Sequence, residues 1–283
     1  MEKENKKEIK KAISFDSLLT QTASLPLVRI DRENFLRAEL KKYCDEEVIQ
    51  VAIDYNPAFA GISNIIIDRI ANSCIAFETG KVSVISTAAG IPGGYAMIAT
   101  IPADITQYFA HVLRIMQKLV YLYGWEDLLL GKDEMDDETR TLLTMFVGVM
   151  FGVKGATDVI GKVSLKVAEN VGKKLSQKAL TKGIIYPIVK KVAKMIGIQM
   201  TKEIFAKGVS KVVPIIGGVV SGGVTFVSFY PMARKFKKYL SGLNPAKKSY
   251  YENNTDKKII ETSEIFEITN EAKETEKELS EGN

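Results

Sequence analysis

Pro102-Ala-Asp-Ile-Thr-Gln-Tyr-Phe-Ala-His-Val-Leu-Arg-Ile-Met-Gln-Lys-Leu-Val-Tyr-Leu-Tyr-Gly124 is the stretch from which the fold is read. Ile105, Phe109, Val112, Met116, Leu119 and Tyr123 recur at alternating steps of four and three, the spacing of one face of an α-helix. That seam predicts a helix over 102–123 whose apolar side lies in a core. Asp104, Gln107, His111, Arg114 and Lys118 recur at the same steps and form a second, polar stripe. Pro102 suits a first turn, where its missing N–H is no loss, and Gly124 supplies the left-handed residue that ends many helices. Asp104 in the first turn is also favourable beside the positive end of the helix dipole. On a solvated surface the polar stripe is simply the outer face of the helix; on a central helix it is buried as well, so its groups must pair internally or meet a polar ligand.

The same signals continue on both sides. Helices are expected near 31–53, 57–79, 83–100, 137–152, 156–181, 184–206 and 211–240. Asp31 or Asn34 can cap the first, Asp136 or Asp137 the one at 137, and Pro57 and Pro187 stand where a first turn tolerates them. Period-two alternation bounded by turn dipeptides is nearly absent, so the expected class is an all-α, multi-helix single domain with a glycine-rich centre. With 283 residues, 46% hydrophobic and 26% charged, the chain has ample core material. Collagen-like, coiled-coil and wholly disordered readings fall away. The expected organisation is a charged arm and lead-in over 1–30, an all-α domain over 31–243, and a disordered acidic tail over 244–283. Asn244-Pro245 marks the last boundary, because the residue before proline is pushed out of helical geometry.

A net charge of +5 conceals a strong asymmetry. Residues 251–283 carry ten acidic residues and four lysines, leaving the rest of the chain at +11. Thirteen lysines lie between Gly152 and Val212 against Asp158, Glu169 and Glu203. Arg234, Lys235, Lys237, Lys238, Lys247 and Lys248 follow with no acid among them. Val163, Val167, Val171 and Leu175, then Val189, Val192, Ile196 and Met200, run beside these lysines and give basic amphipathic faces. Such faces attract phosphate groups at an anionic membrane surface. No aromatic platform or motif of a nucleic-acid binder accompanies them, so nucleic acid is not an expected partner. The charged start, Met1 to Lys11, has no apolar run behind it, which points to a cytoplasmic chain, and the basic faces place it on the inner face of the membrane.

Two uncharged stretches of 22 residues, 82–103 and 212–233, are long enough to cross a bilayer but are broken by glycine and proline. They resemble each other. Gly93-Gly94 precedes Pro102 by the same interval as Gly222-Gly223 precedes Pro231, a hint of a pseudo-repeat in which small residues let helices approach closely.

A search for chemistry yields little. Gly155 to Val163 has one residue too many for a phosphate-binding loop and ends on Val where a hydroxyl is needed. Gly61-Ile-Ser63-Asn-Ile lacks the second glycine of a nucleophile elbow. One His and two Cys, Cys44 and Cys74, cannot furnish a zinc site or a disulfide framework. The acidic run from Asp133 to Glu138 lacks the spacing and central glycine of a calcium loop. No catalytic residue, metal site or cofactor is therefore expected. Asp104, His111 and Arg114 remain the best mixed polar constellation and the candidate ligand contacts.

Ser86-Thr-Ala-Ala-Gly-Ile-Pro-Gly-Gly94, Ala99-Thr-Ile-Pro-Ala-Asp104, Leu113-Arg-Ile through Tyr123-Gly124, and Val213-Pro-Ile-Ile-Gly-Gly218 followed by Ala233-Arg-Lys-Phe resemble the EcsC family of bacterial proteins. The resemblance spans roughly residues 55–240. It implies a helical protein without an established biochemical activity, whose founding member is encoded beside the components of an ABC transporter. Gly93, Gly94, Pro102, Asp104, Arg114, Tyr123 and Gly124 match its motif positions, and none brings a catalytic role. The acidic tail departs from the family pattern.

These readings converge on a non-enzymatic helical protein, peripheral on the cytoplasmic face of the membrane and accessory to a transport system such as an ABC transporter. Two alternatives stay open. One is a lipid or apolar-ligand binder, or a hydrolase, built on Asp104, His111 and Arg114. The other is an integral protein spanning at 212–233.

Overall fold

Asp31 has extended backbone and its side chain accepts the Asn34 N–H, which starts a helix at Arg32. Asp136 repeats the device by accepting the Thr139 N–H. In the computed structural model, which describes residues 15–87, 103–129, 136–171 and 217–254, eight α-helices follow in order. They are α1 (Phe15–Ala23), α2 (Arg32–Leu40), α3 (Glu46–Asp54), α4 (Asn64–Thr87), α5 (Ala103–Leu122), α6 (Asp137–Met150), α7 (Ala156–Glu169) and α8 (Gly217–Ser241). A 3-10 turn, Asn244–Ala246, and a helical turn over 248–254 complete the described chain. The protein is all-α, and no strand occurs among the described residues.

The helix that decides the fold is also its centre. α5 touches α1, α2, α4, α6 and α8. Phe109, Val112, Met116, Leu119 and Tyr123 of its apolar seam are buried, as are most residues on its other faces. Phe15 of α1 meets Phe109 edge to face with centroids 5.9 Å apart. Beyond the end of α5, Trp125 packs edge-on to Phe146 of α6 at 4.8 Å, and Phe146 to Phe236 of α8 at 5.9 Å. Such aromatic pairs add about 0.5–1.5 kcal/mol beyond their buried area.

Two contact pairs fix the helix directions. Tyr123 meets Asp68 while His111 meets Glu78, so α4 and α5 run antiparallel. Lys237 meets Asp68 and Asn72 while Phe229 meets Tyr108, so α8 runs with α5 and against α4, its main packing partner. Thr87, Ala103 and Gly217 therefore lie at one pole of the bundle, where the two uncharged stretches of the sequence meet it.

Several boundaries differ from the sequence expectation. The helix expected over 31–53 is two, because Asp45, extended and followed by Glu46 and Glu47, begins a new helix. Residues 57–63 form turns, since the Asn56 side chain accepts the Phe59 N–H and Gly61 takes φ +74°. α4 then continues unbroken past 79. α7 closes at Glu169 rather than 181. The helix expected over 184–206 lies outside the described residues.

The folded unit also exceeds 31–243 at both ends. Leu18 and Leu19 of α1 are fully buried, so α1, within the segment assigned to a lead-in, belongs to the core. At the other end Pro245, Ala246 and Tyr251 are buried. The Asn56 side-chain amide donates to the Tyr251 hydroxyl at 2.8 Å, which places 244–254 with the domain and not with an acidic tail.

Candidate functional site

Glu78 lies on the face of α4 turned toward α5, and its side chain is wholly buried. An isolated carboxylate there would carry a large desolvation penalty. Three side chains of α5, spaced at the steps of its polar stripe, meet it. His111 Nδ1 is 2.7 Å from Oε2, Lys118 Nζ is 2.6 Å from Oε1, and Arg114 Nε is 3.5 Å from Oε1. An ionised carboxylate only accepts, so His111 Nδ1 carries the proton in that bond. Burial by itself pushes the Glu78 carboxyl upward. The His111 hydrogen bond, the Lys118 charge and hydrogen bond, and the Arg114 charge outweigh burial and bring it down to about 2. Glu78 is thus charged at neutral pH although no water reaches it.

The cluster is tied to its surroundings by backbone contacts. Arg114 also donates to the Leu27 carbonyl, while Gln117 donates to the Val28 carbonyl at 2.9 Å and accepts the Ile30 N–H at 3.0 Å. The segment between α1 and α2 is therefore strapped along α5. Lys118 Nζ lies 5.2 Å from the Phe77 ring centroid and Lys81 Nζ lies 4.5 Å from it. One turn before Glu78, burial pushes the Cys74 thiol up to about 12, so it stays protonated and inert as a nucleophile.

Of the candidate ligand residues, the structure brings His111 and Arg114 together on one carboxylate. Asp104 lies in the first turn of α5, with its side chain outside the described residues. Gly93, Gly94 and Pro102 also lie outside them, and so does the glycine pairing of the expected pseudo-repeat. Gly222 and Gly223 fall within α8, which packs chiefly on α4. Among the described residues no group of His, Cys, Asp and Glu could hold a metal ion.

Tyr123 and Gly124 have structural work. The Tyr123 hydroxyl donates to Asp68 at 2.7 Å, and burial followed by that carboxylate raises the phenol far above its usual range. Gly124 has φ +91°, and a Cβ there would stand 2.4 Å from the Pro245 carbonyl oxygen. Arg32, opening α2, reaches across to the end of α3. It donates to the carbonyls of Ala52, Ile53 and Tyr55 and to that of Trp125, closing a helix C-terminus that favours positive charge.

The remaining arrangement of charge is a surface. Residues 152–171 and 230–254 present nine basic side chains against Asp158, Glu169 and Glu252. Lys154, Lys162, Lys166, Arg234, Lys235, Lys238 and Lys248 are exposed. Tyr239 of α8 donates to the Thr157 carbonyl of α7 at 2.5 Å, and the 3-10 turn packs on α7, so these residues share one region. Leu165, half exposed, stands on the same face of α7 as Lys162 and Lys166.

Glu78 is the site residue that the sequence pattern missed. Its one signal was indirect: a stripe of cations on a central helix requires an acid opposite. No family model, no curated protein and no solved structure matches this chain.

Proposed function

We propose that this protein attaches peripherally to the anionic cytoplasmic face of a membrane, through α7 and the C-terminal half of α8. Its role there is non-enzymatic and accessory to a transport system, as the resemblance to the EcsC family implies. The observation that carries this reading is the run of exposed basic side chains from Lys154 to Lys166 and from Arg234 to Lys248, with Asp158 the one acid within those bounds. Each lysine near an anionic leaflet contributes about 1 kcal/mol, so four engaged residues give about 4 kcal/mol. That describes reversible attachment, weakened as salt shortens the range of the field.

The ligand-pocket or hydrolase alternative on Asp104, His111 and Arg114 has less support, since His111 and Arg114 are bonded to Glu78. A span at 212–233 has less support too: among the described residues no helix is long and apolar enough to cross a membrane.

The test is fractionation of the native protein together with flotation on phosphatidylglycerol-containing vesicles. Binding at low salt and release at high salt are expected. Retention through alkaline extraction would argue for a span. Absence from membranes at low salt, with no vesicle binding, would end the proposal.

A further inference from the structure

We infer that Lys81 and Lys118, which share the Phe77 ring, and Arg114, which meets Glu78 beside Lys118, form a binding site for an anion of the phosphate class. This inference rests on a different part of the molecule from the α7–α8 surface and survives the loss of that reading.

Cations outnumber acids at this site. Lys118 and Arg114 both meet Glu78, and one carboxylate offsets one of them. Lys81 adds a third permanent cation through the ring it shares with Lys118. Glu39, half buried, acts on Cys74 one turn before Glu78. Two ammonium groups on one uncharged ring repel each other, and a bound anion turns that repulsion into two attractions.

The cations also reach the surface. Glu78 lies beneath them with no exposure, while Arg114 keeps 21% and Lys118 11% of its side chain accessible, and Lys81 is exposed. Burial on one side and access on the other make the site stronger than a set of lysines in free solvent, because the local dielectric is lower. Arg114 is positioned by its bonds to Glu78 and to the Leu27 carbonyl, which holds a guanidinium in place before any ligand arrives.

Apolar surface adjoins the charge. Phe77 is 52% exposed and Leu27 63% exposed, and both flank the Arg114–Lys118 group. An anion with an apolar remainder therefore fits better than a bare ion: the phosphate meets Lys81, Lys118 and Arg114, and the remainder lies on Phe77 and Leu27. A phospholipid headgroup and a soluble phosphate ester share this chemistry.

The full chain is titrated with inorganic phosphate, and separately with vesicles of phosphatidylcholine containing phosphatidic acid, at ionic strength held constant with chloride. Lys81→Gln and Phe77→Ser, both at exposed positions, are compared with Lys41→Gln, exposed at the end of α2 and outside both basic regions. Saturable binding is expected, weakened about fivefold by Lys81→Gln, as one lysine contact predicts, and unchanged by Lys41→Gln. Saturation by inorganic phosphate as well as vesicles identifies a general phosphate site; saturation by vesicles alone identifies a headgroup site. The inference is overturned if neither probe saturates the wild-type chain. It is equally overturned if Lys81→Gln and Phe77→Ser bind as wild type, or if Lys41→Gln weakens binding as much as Lys81→Gln.

Discussion

Replacing Glu78 by Gln keeps the side-chain volume and removes only the charge. Lys118 and Arg114 then face an amide at the one position of the group that is wholly buried. Two routes give the magnitude. Holding the carboxyl at about 2 instead of 4.5 corresponds to about 3 kcal/mol in favour of the charged form. Removing one partner from a buried ion pair costs about 3–5 kcal/mol in general. Lys118 and Arg114 retain some access to solvent and can relax toward it, so the lower figure applies. At neutral pH, urea unfolding followed by circular dichroism should show Glu78→Gln less stable by about 3 kcal/mol, or a melting midpoint lower by about 6–12 °C.

Acid changes the comparison in a definite direction. Because the folded value is depressed, the contribution of Glu78 is complete above about 4.5 and fades as pH falls from there toward 2. Near pH 3 the gap between wild type and variant should have shrunk by about 2 kcal/mol. A difference below about 0.5 kcal/mol at neutral pH, the range of an ordinary surface change, would refute the reasoning. So would a gap that does not narrow on acidification.

Further outcomes follow from other contacts. Gly124→Ala should destabilise by about 2 kcal/mol or more on thermal melting, since the residue needs φ +91° and its Cβ would meet the Pro245 carbonyl oxygen at 2.4 Å. Tyr251→Phe should cost about 1 kcal/mol by urea unfolding, because the buried Asn56 amide loses its acceptor. A chain ending at Asn244 should melt several degrees below one ending at Asn254, because it lacks the buried Pro245, Ala246 and Tyr251. Arg32→Met should lower stability by about 2 kcal/mol by the same measurement, as four carbonyls lose a charged donor, including three at the end of α3.

How much of this was legible depends on whether the relevant partners lie within one helical repeat. The α5 seam and stripe could be read because both are periodic within twenty residues and each residue reports its own face. Both faces proved internal, as a central helix requires. Glu78 could not be read that way. It stands among Phe77, Thr79, Gly80 and Lys81, a mixture that looks like any wet turn of a helix, and its partners lie 33 to 40 residues further on. The break at Asp45 did have a local signal, an acid followed by two more in a first turn, but the apolar residues on either side were spaced as though continuous. α1 was hidden by the charge that precedes it, and only the burial of Leu18 and Leu19 reveals its place. Tyr251 was grouped with the acidic residues that follow it, although its hydroxyl belongs to Asn56.

That last bond also sets an order of events at the ribosome. Asn56 and Tyr251 are 195 residues apart, and chains grow at about 5–20 residues per second, so Asn56 emerges about 10–40 s before its partner exists. During that interval Ala58 and the stacked rings of Tyr55 and Phe59 have no Tyr251 to pack against. The N-terminal helices can associate early, but the seam that Pro245 and Tyr251 close is sealed only when synthesis is nearly over. A chain that stops upstream of Pro245 lacks the residues that cover Gly124 and Asn56.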